Sequence, residues 1–123
     1  VSTARTSPWL IASRALALAS LAVLVVSFAT AGVLLQDHRA EDVHGTAAIV
    51  LHVVTGALAI ALLGSARTTP ANRWPAAVAV LAFGYTFLQA WWGAGMTLYL
   101  HVPGALLLTT AVVWLCAWTW QRR

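Results

Sequence analysis

Residues 44–64 read HGTAAIVLHVVTGALAIALLG, from His44 to Gly64, and this stretch decides the fold class. A helix needs about 20 mostly apolar residues to cross the hydrocarbon core of a bilayer. The stretch supplies that length with no Asp, Glu, Lys or Arg. Three more segments of the same kind surround it. They run from about Trp9 to Gln36, from Pro75 to about Met96, and from about Leu98 to Gln121. The expectation is an all-α integral membrane protein, one transmembrane domain over residues 1–123, with helices at about 9–36, 44–64, 75–96 and 98–121.

Composition agrees. Apolar residues make up 61% of the chain and charged residues 8%, where a soluble domain carries about a quarter. The mean hydropathy is +0.83. Lipid can cover apolar faces that a chain of this size could not bury in a core of its own. The first segment lacks a convincing small-residue cleavage pattern and reads as a retained helix. The single Cys116 excludes an internal disulfide.

All seven basic residues are Arg, giving a net charge of +4. Their placement points to topology rather than to nucleic acid. Arg5, Arg14, Arg67, Arg73, Arg122 and Arg123 fall on one side of the spans, which the positive-inside rule makes cytoplasmic. Asp37, Arg39, Glu41 and Asp42 lie on the other. Both termini are therefore expected inside a plasma membrane, with Arg14 snorkelling to the surface. Trp9, Trp74, Trp118 and Trp120 would belt the inner interface, and Trp91 and Trp92 the outer one. Short connections make consecutive helices antiparallel neighbours, an up-down-up-down bundle. Gly45, Ala48, Gly56, Ala57, Gly84, Gly93, Gly104 and Ala105 would let helices approach closely. The absence of Lys and the richness in Ala, Val and Leu suit a GC-rich genome.

The chemistry rests on four His in a chain with three acids. Ionisable residues inside spans are costly and point to function; the alternative is that each His bonds to a neighbouring helix. His44 lies 20 residues before Gly64, and His101 lies 21 before Arg122. At about 1.5 Å per residue both stand about 30 Å above the inner boundary. Two level imidazoles on facing walls suit the axial ligation of heme iron. His52 is the rival ligand. A short internal echo, LHVVTGAL at 51–58 against LHVPGAL at 100–106, pairs it with His101, whereas depth pairs His44 with His101. If not a ligand, His52 bonds Tyr85 or Gln89, or lines a quinone or second cofactor pocket.

Arg39 and His38 could meet heme propionates, since Arg binds carboxylates bidentately. The alternative for Arg39 is a solvated loop charge beside Asp37 and Glu41. Trp91, Trp92, Tyr99 and Met96 could pack on the macrocycle, with Met96 a remote third choice of axial ligand. His38, Glu41, Asp42 and His44 also cluster closely enough in sequence to raise an outer zinc or copper site.

Glu41-Asp42-Val43-His44 resembles the Glu-x-x-His motif of the heme A synthases, and Leu98-Tyr99-Leu100-His101 resembles their second ligand stretch. The chain is similar to one four-helix half of that family. It is also similar to small four-helix membrane proteins of unknown function common in actinobacteria. The resemblance implies heme b held by His44 and His101, and Glu41 as a catalytic carboxylate. The chain departs from the pattern at Gly45, where the family carries Arg, in lacking an outer-loop Cys pair, and in its very short outer loop. Three functions follow as expectations. The first is a cytochrome b-like heme protein for electron transfer or heme handling. The second is a heme A synthase-like oxidase working as a homodimer. The third is a non-catalytic accessory subunit of a respiratory complex.

Overall fold

The computed structural model describes residues 7–95 and 97–122. Arg5, Met96 and Arg123 lie outside the described residues. Four helices form a bundle: α1 Pro8–Asp37, α2 Glu41–Thr68, α3 Arg73–Ala94 and α4 Leu98–Gln121. A 3-10 turn over Pro70–Asn72 joins α2 to α3. Each helix is long and apolar enough to cross a membrane. At about 1.5 Å per residue they exceed the roughly 30 Å of a hydrocarbon core.

The ends of α2 differ most from the sequence expectation. α2 starts three residues before His44 and runs four past Gly64. Glu41 and Asp42 suit its positive N-terminal end and Arg67 its negative C-terminal end, so the helix continues past its apolar stretch. Gly64 is not an end. It is buried against the Trp9 indole, which a Cβ there would meet at 2.5 Å.

The helices form a ring. α1 packs on α2 and α4, and α3 on the same two. Across the diagonals the backbones of α2 and α4, and of α1 and α3, stay more than 8 Å apart among the described residues. We refer to the end holding the α1–α2 and α3–α4 turns as the histidine end, and the opposite one as the arginine end.

Inward positions repeat at alternating spacings of three and four. On α1 they are Leu10, Ser13, Ala17, Ser20 and Leu24; on α2, Leu51, Thr55, Leu58, Leu62 and Ser65. α3 gives Pro75, Ala79, Ala82, Thr86 and Gln89, and α4 gives Leu108, Val112, Leu115 and Thr119. This heptad pattern is that of helices packed at a shallow angle in left-handed bundles. The inward residues are smaller and more polar than the outward ones. Ser13 and Ser20 are fully buried, whereas Ile49, Val53 and Leu81 are exposed. Small inward side chains let helix backbones approach where no water drives association.

Several expectations are corrected. A Cβ on Gly45 or Gly84 would meet nothing, so neither makes a close helix contact. Trp118 packs into the core cluster near the arginine end, because its position joins the α4 inward face, and does not stand free on the bundle's outside. Arg14 does more than reach toward a surface. Its Nε donates to the Thr119 carbonyl at 3.1 Å and its Nη2 to the Arg122 carbonyl. These are carbonyls at the end of α4, which lack helical partners. Its guanidinium also lies 5.1 Å from the Trp120 ring centre.

Candidate functional site at the histidine end

Buried positions stop short of the histidine end. The last are Leu24, Ala47, Gln89 and Gly104, and none of the described residues beyond them is buried. His44 and His101 stand just beyond that limit, both half-buried, each the fourth residue of its helix.

Heptad register relates the two. His44 precedes Leu51 by seven positions and Leu58 by fourteen; His101 precedes Leu108 and Leu115 by the same steps. Leu51 and Leu108 share one core cluster, and Leu58 and Leu115 share the other. Seven residues bring a helix back to within about 20° of the same direction. Both imidazoles therefore spring from the inward faces of diagonal helices, one heptad, about 10 Å, beyond a common leucine layer. His52 follows Leu51 directly and so leaves from a different face.

Each ring is held by one nitrogen. His44 Nδ1 lies 3.1 Å from the Ser27 carbonyl and 3.1 Å from the Thr30 hydroxyl, both on α1. His101 Nδ1 lies 2.9 Å from the Gln89 carbonyl on α3. His52 Nδ1 bonds the Ala48 carbonyl of its own helix. A carbonyl can only accept, so in all three Nδ1 carries the proton, and in the neutral ring the lone pair is then on Nε2. None of the three Nε2 atoms is hydrogen-bonded among the described residues. A main-chain bond to one imidazole nitrogen is the usual way a protein orients the other for a metal.

His52 does not bond Tyr85 or Gln89. The carbonyl one turn back satisfies its ring locally, and the ring stands edge-on to Phe87 at 4.3 Å. Gln89 instead lies against the backbone of Gly104, where a Cβ would strike its Nε2 and come within 2.7 Å of the Tyr85 hydroxyl. Gln89 is 6% exposed, and both its amide atoms are buried without a partner.

The remaining candidates sit at the rim. His38 ends α1 in a left-handed conformation with φ of 52°, and Ala40 before α2 has φ of 68°. Arg39 pairs with Asp37 at 2.9 Å, both exposed. Glu41 and Asp42 are exposed on the first turn of α2. Among the described residues no three His, Cys, Asp or Glu side chains converge, so the zinc or copper cluster raised by the sequence is not assembled. Trp91 and Tyr99 are exposed, and Trp92 stacks edge-on to Tyr85 at 5.9 Å.

Beside the two imidazoles stand Ser27 of α1, whose carbonyl holds His44, and Gly93 of α3, next to His101. A Cβ on Gly93 would come within 3.1 Å of the His101 ring. Two imidazoles in matching register on diagonal helices, each held through Nδ1 with Nε2 unbonded among the described residues, are the groups that would hold a heme iron.

No family profile, curated protein or solved structure matches the chain.

The sequence does not disclose Ser27, Thr30 or the Gln89 carbonyl as histidine partners. One signal was present: Ser13, Ser20 and Ser27 recur at seven-residue intervals, marking the α1 face that turns inward.

Proposed function

We propose that the chain is a plasma-membrane heme b protein, multi-pass with both termini cytoplasmic, in which Nε2 of His44 and Nε2 of His101 would hold the iron. The observation that carries this reading is their shared heptad register, with each Nδ1 tied to a carbonyl of a neighbouring helix. Those bonds fix the ring planes and the tautomer, so Nε2 is the basic nitrogen in each case. Heme would supply one-electron redox chemistry at the outer face, for electron transfer or heme handling. The leucine layers keep water from that site on the cytoplasmic side. Arg39 and His38 would meet propionates, at the expense of the Arg39–Asp37 pair. The orientation rests on Arg14, Arg67, Arg73 and Arg122 gathering at the arginine end.

The test is an absorption spectrum of detergent-purified protein, oxidised and dithionite-reduced, beside His44→Ala and His101→Ala. The reading expects a sharp reduced b-type band lost in both variants and kept in His52→Ala. A protein made with ample heme that shows no Soret band would overturn it and leave the accessory-subunit role.

A second reading draws on Glu41, which lies three residues, nearly one helical turn, before His44 on the same exposed rim. As a heme A synthase-like oxidase acting as a homodimer, the chain would use that carboxylate near a heme substrate. Glu41→Gln would then retain heme and lose product.

A further inference from the structure

A second polar position lies outside the paired histidines. His52 stands eleven residues into α2, about 16 Å from its start and about 24 Å from its end, well inside the apolar stretch. Its Nδ1 proton goes to the Ala48 carbonyl, so Nε2 is an acceptor with no partner among the described residues. An unpaired acceptor at hydrocarbon depth is costly and marks a binding role by default.

The surroundings give the partner its chemistry. The His52 ring stands edge-on to Phe87, and Phe87 edge-on to Phe83 at 5.2 Å, so two phenyl rings of α3 extend from the imidazole along the α2–α3 seam. Gly56 of α2 makes room for them, since a Cβ there would meet Phe83 at 3.1 Å. Phe87 is 52% exposed, so its ring can be reached from outside the bundle. A partner must therefore dissolve in hydrocarbon, bring a flat ring to the phenyl groups and donate a hydroxyl proton to Nε2. We infer that His52 and Phe87 form a binding site, opening to the lipid, for the head group of a lipid-soluble hydroquinone. The oxidised quinone offers only acceptors and does not match this imidazole tautomer, so the site favours the reduced form. The inference rests on the membrane placement proposed above and is independent of whether heme is bound.

The test uses the full chain in phosphatidylcholine nanodiscs, titrated with 2-heptyl-4-hydroxyquinoline N-oxide, a fluorescent hydroxylated analogue of such head groups. The expected result is saturable quenching at one probe per chain, reversed by decylubiquinol and less well by decylubiquinone. His52→Leu should weaken binding at least tenfold, His52→Gln should keep part of it, and His44→Ala should leave it unchanged. Circular dichroism and elution volume must show each variant folded. Non-saturable partitioning that is equal in the parent and in folded His52→Leu would overturn the site. So would self-association of the parent that disappears in His52→Leu without probe binding, because a second copy would then be what covers Nε2.

Discussion

His101 Nδ1 donates to the main-chain carbonyl of Gln89, 2.9 Å away and twelve residues back across the α3–α4 turn. The bond ties the imidazole to the neighbouring helix, so the ring cannot turn without α3 following. Gly93, four residues after Gln89, lies under the same ring. Gly93→Ala would place a methyl within 3.1 Å of it. Overpacking of this kind costs about 1–3 kcal/mol. If His101 holds heme as proposed, the expected outcome is retention weakened by about tenfold, seen as a reduced Soret absorbance per chain at unchanged helical content.

The Gly104–Gln89 contact should behave as a coupled pair. Gly104→Ala drives a Cβ into the Gln89 amide and should lower stability by about 1–3 kcal/mol. In a Gln89→Ala background the same substitution should cost less than half as much. A double-mutant cycle on unfolding in mild detergent measures the coupling, and additive effects would contradict the contact.

Arg14 caps a helix other than its own. Arg14→Ala frees the Thr119 and Arg122 carbonyls and removes the guanidinium from Trp120. The expected loss is about 1 kcal/mol, with Arg14→Lys recovering only part of it because an ammonium lacks the planar fork. Thermal unfolding at low and high salt reads both effects.

Ala40 occupies a left-handed conformation that glycine adopts without strain. Ala40→Gly should stabilise the protein by roughly 0.5–1 kcal/mol, the relief of the Cβ clash less the extra freedom of the unfolded chain. Ala40→Val should lower the unfolding midpoint instead.

The four helices were legible because a hydrocarbon layer demands a length of apolar residues that composition alone displays. The ends of α2 were not. Glu41, Asp42 and Ser65 to Thr68 are helical yet polar, and apolar length measures lipid rather than hydrogen bonding. The inward faces were also hidden. In a soluble helix polarity separates the two sides, but here Val25 outside and Leu24 inside are equally apolar. Ser13, Ser20, Thr55 and Thr119 mark the interior by being small or polar, the reverse of the familiar signal. His44 and His101 stood out because imidazoles are rare in such segments. Their partners did not, since Ser27 and Gln89 hold them through carbonyls that every residue possesses. The expected bond from His52 to Tyr85 or Gln89 failed for the same reason: Ala48 offered a nearer one.

The bundle is closed by packed layers toward the arginine end and has no fully buried layer beyond Gly104 at the other. Such an object would move as a pair of tongs does, from its packed end. The arm from Thr119 to His101 is about 27 Å long, so a swing of about 5° in α4 moves the imidazole by about 2 Å. A pivot at the packed end would fall among Leu115, Trp118, Thr119 and Arg14, far from either histidine. Residues that touch no ligand would thereby set the gap between the two rings, and an exchange of bulk at Leu58 or Leu115 would be felt as a change of grip at the opposite surface.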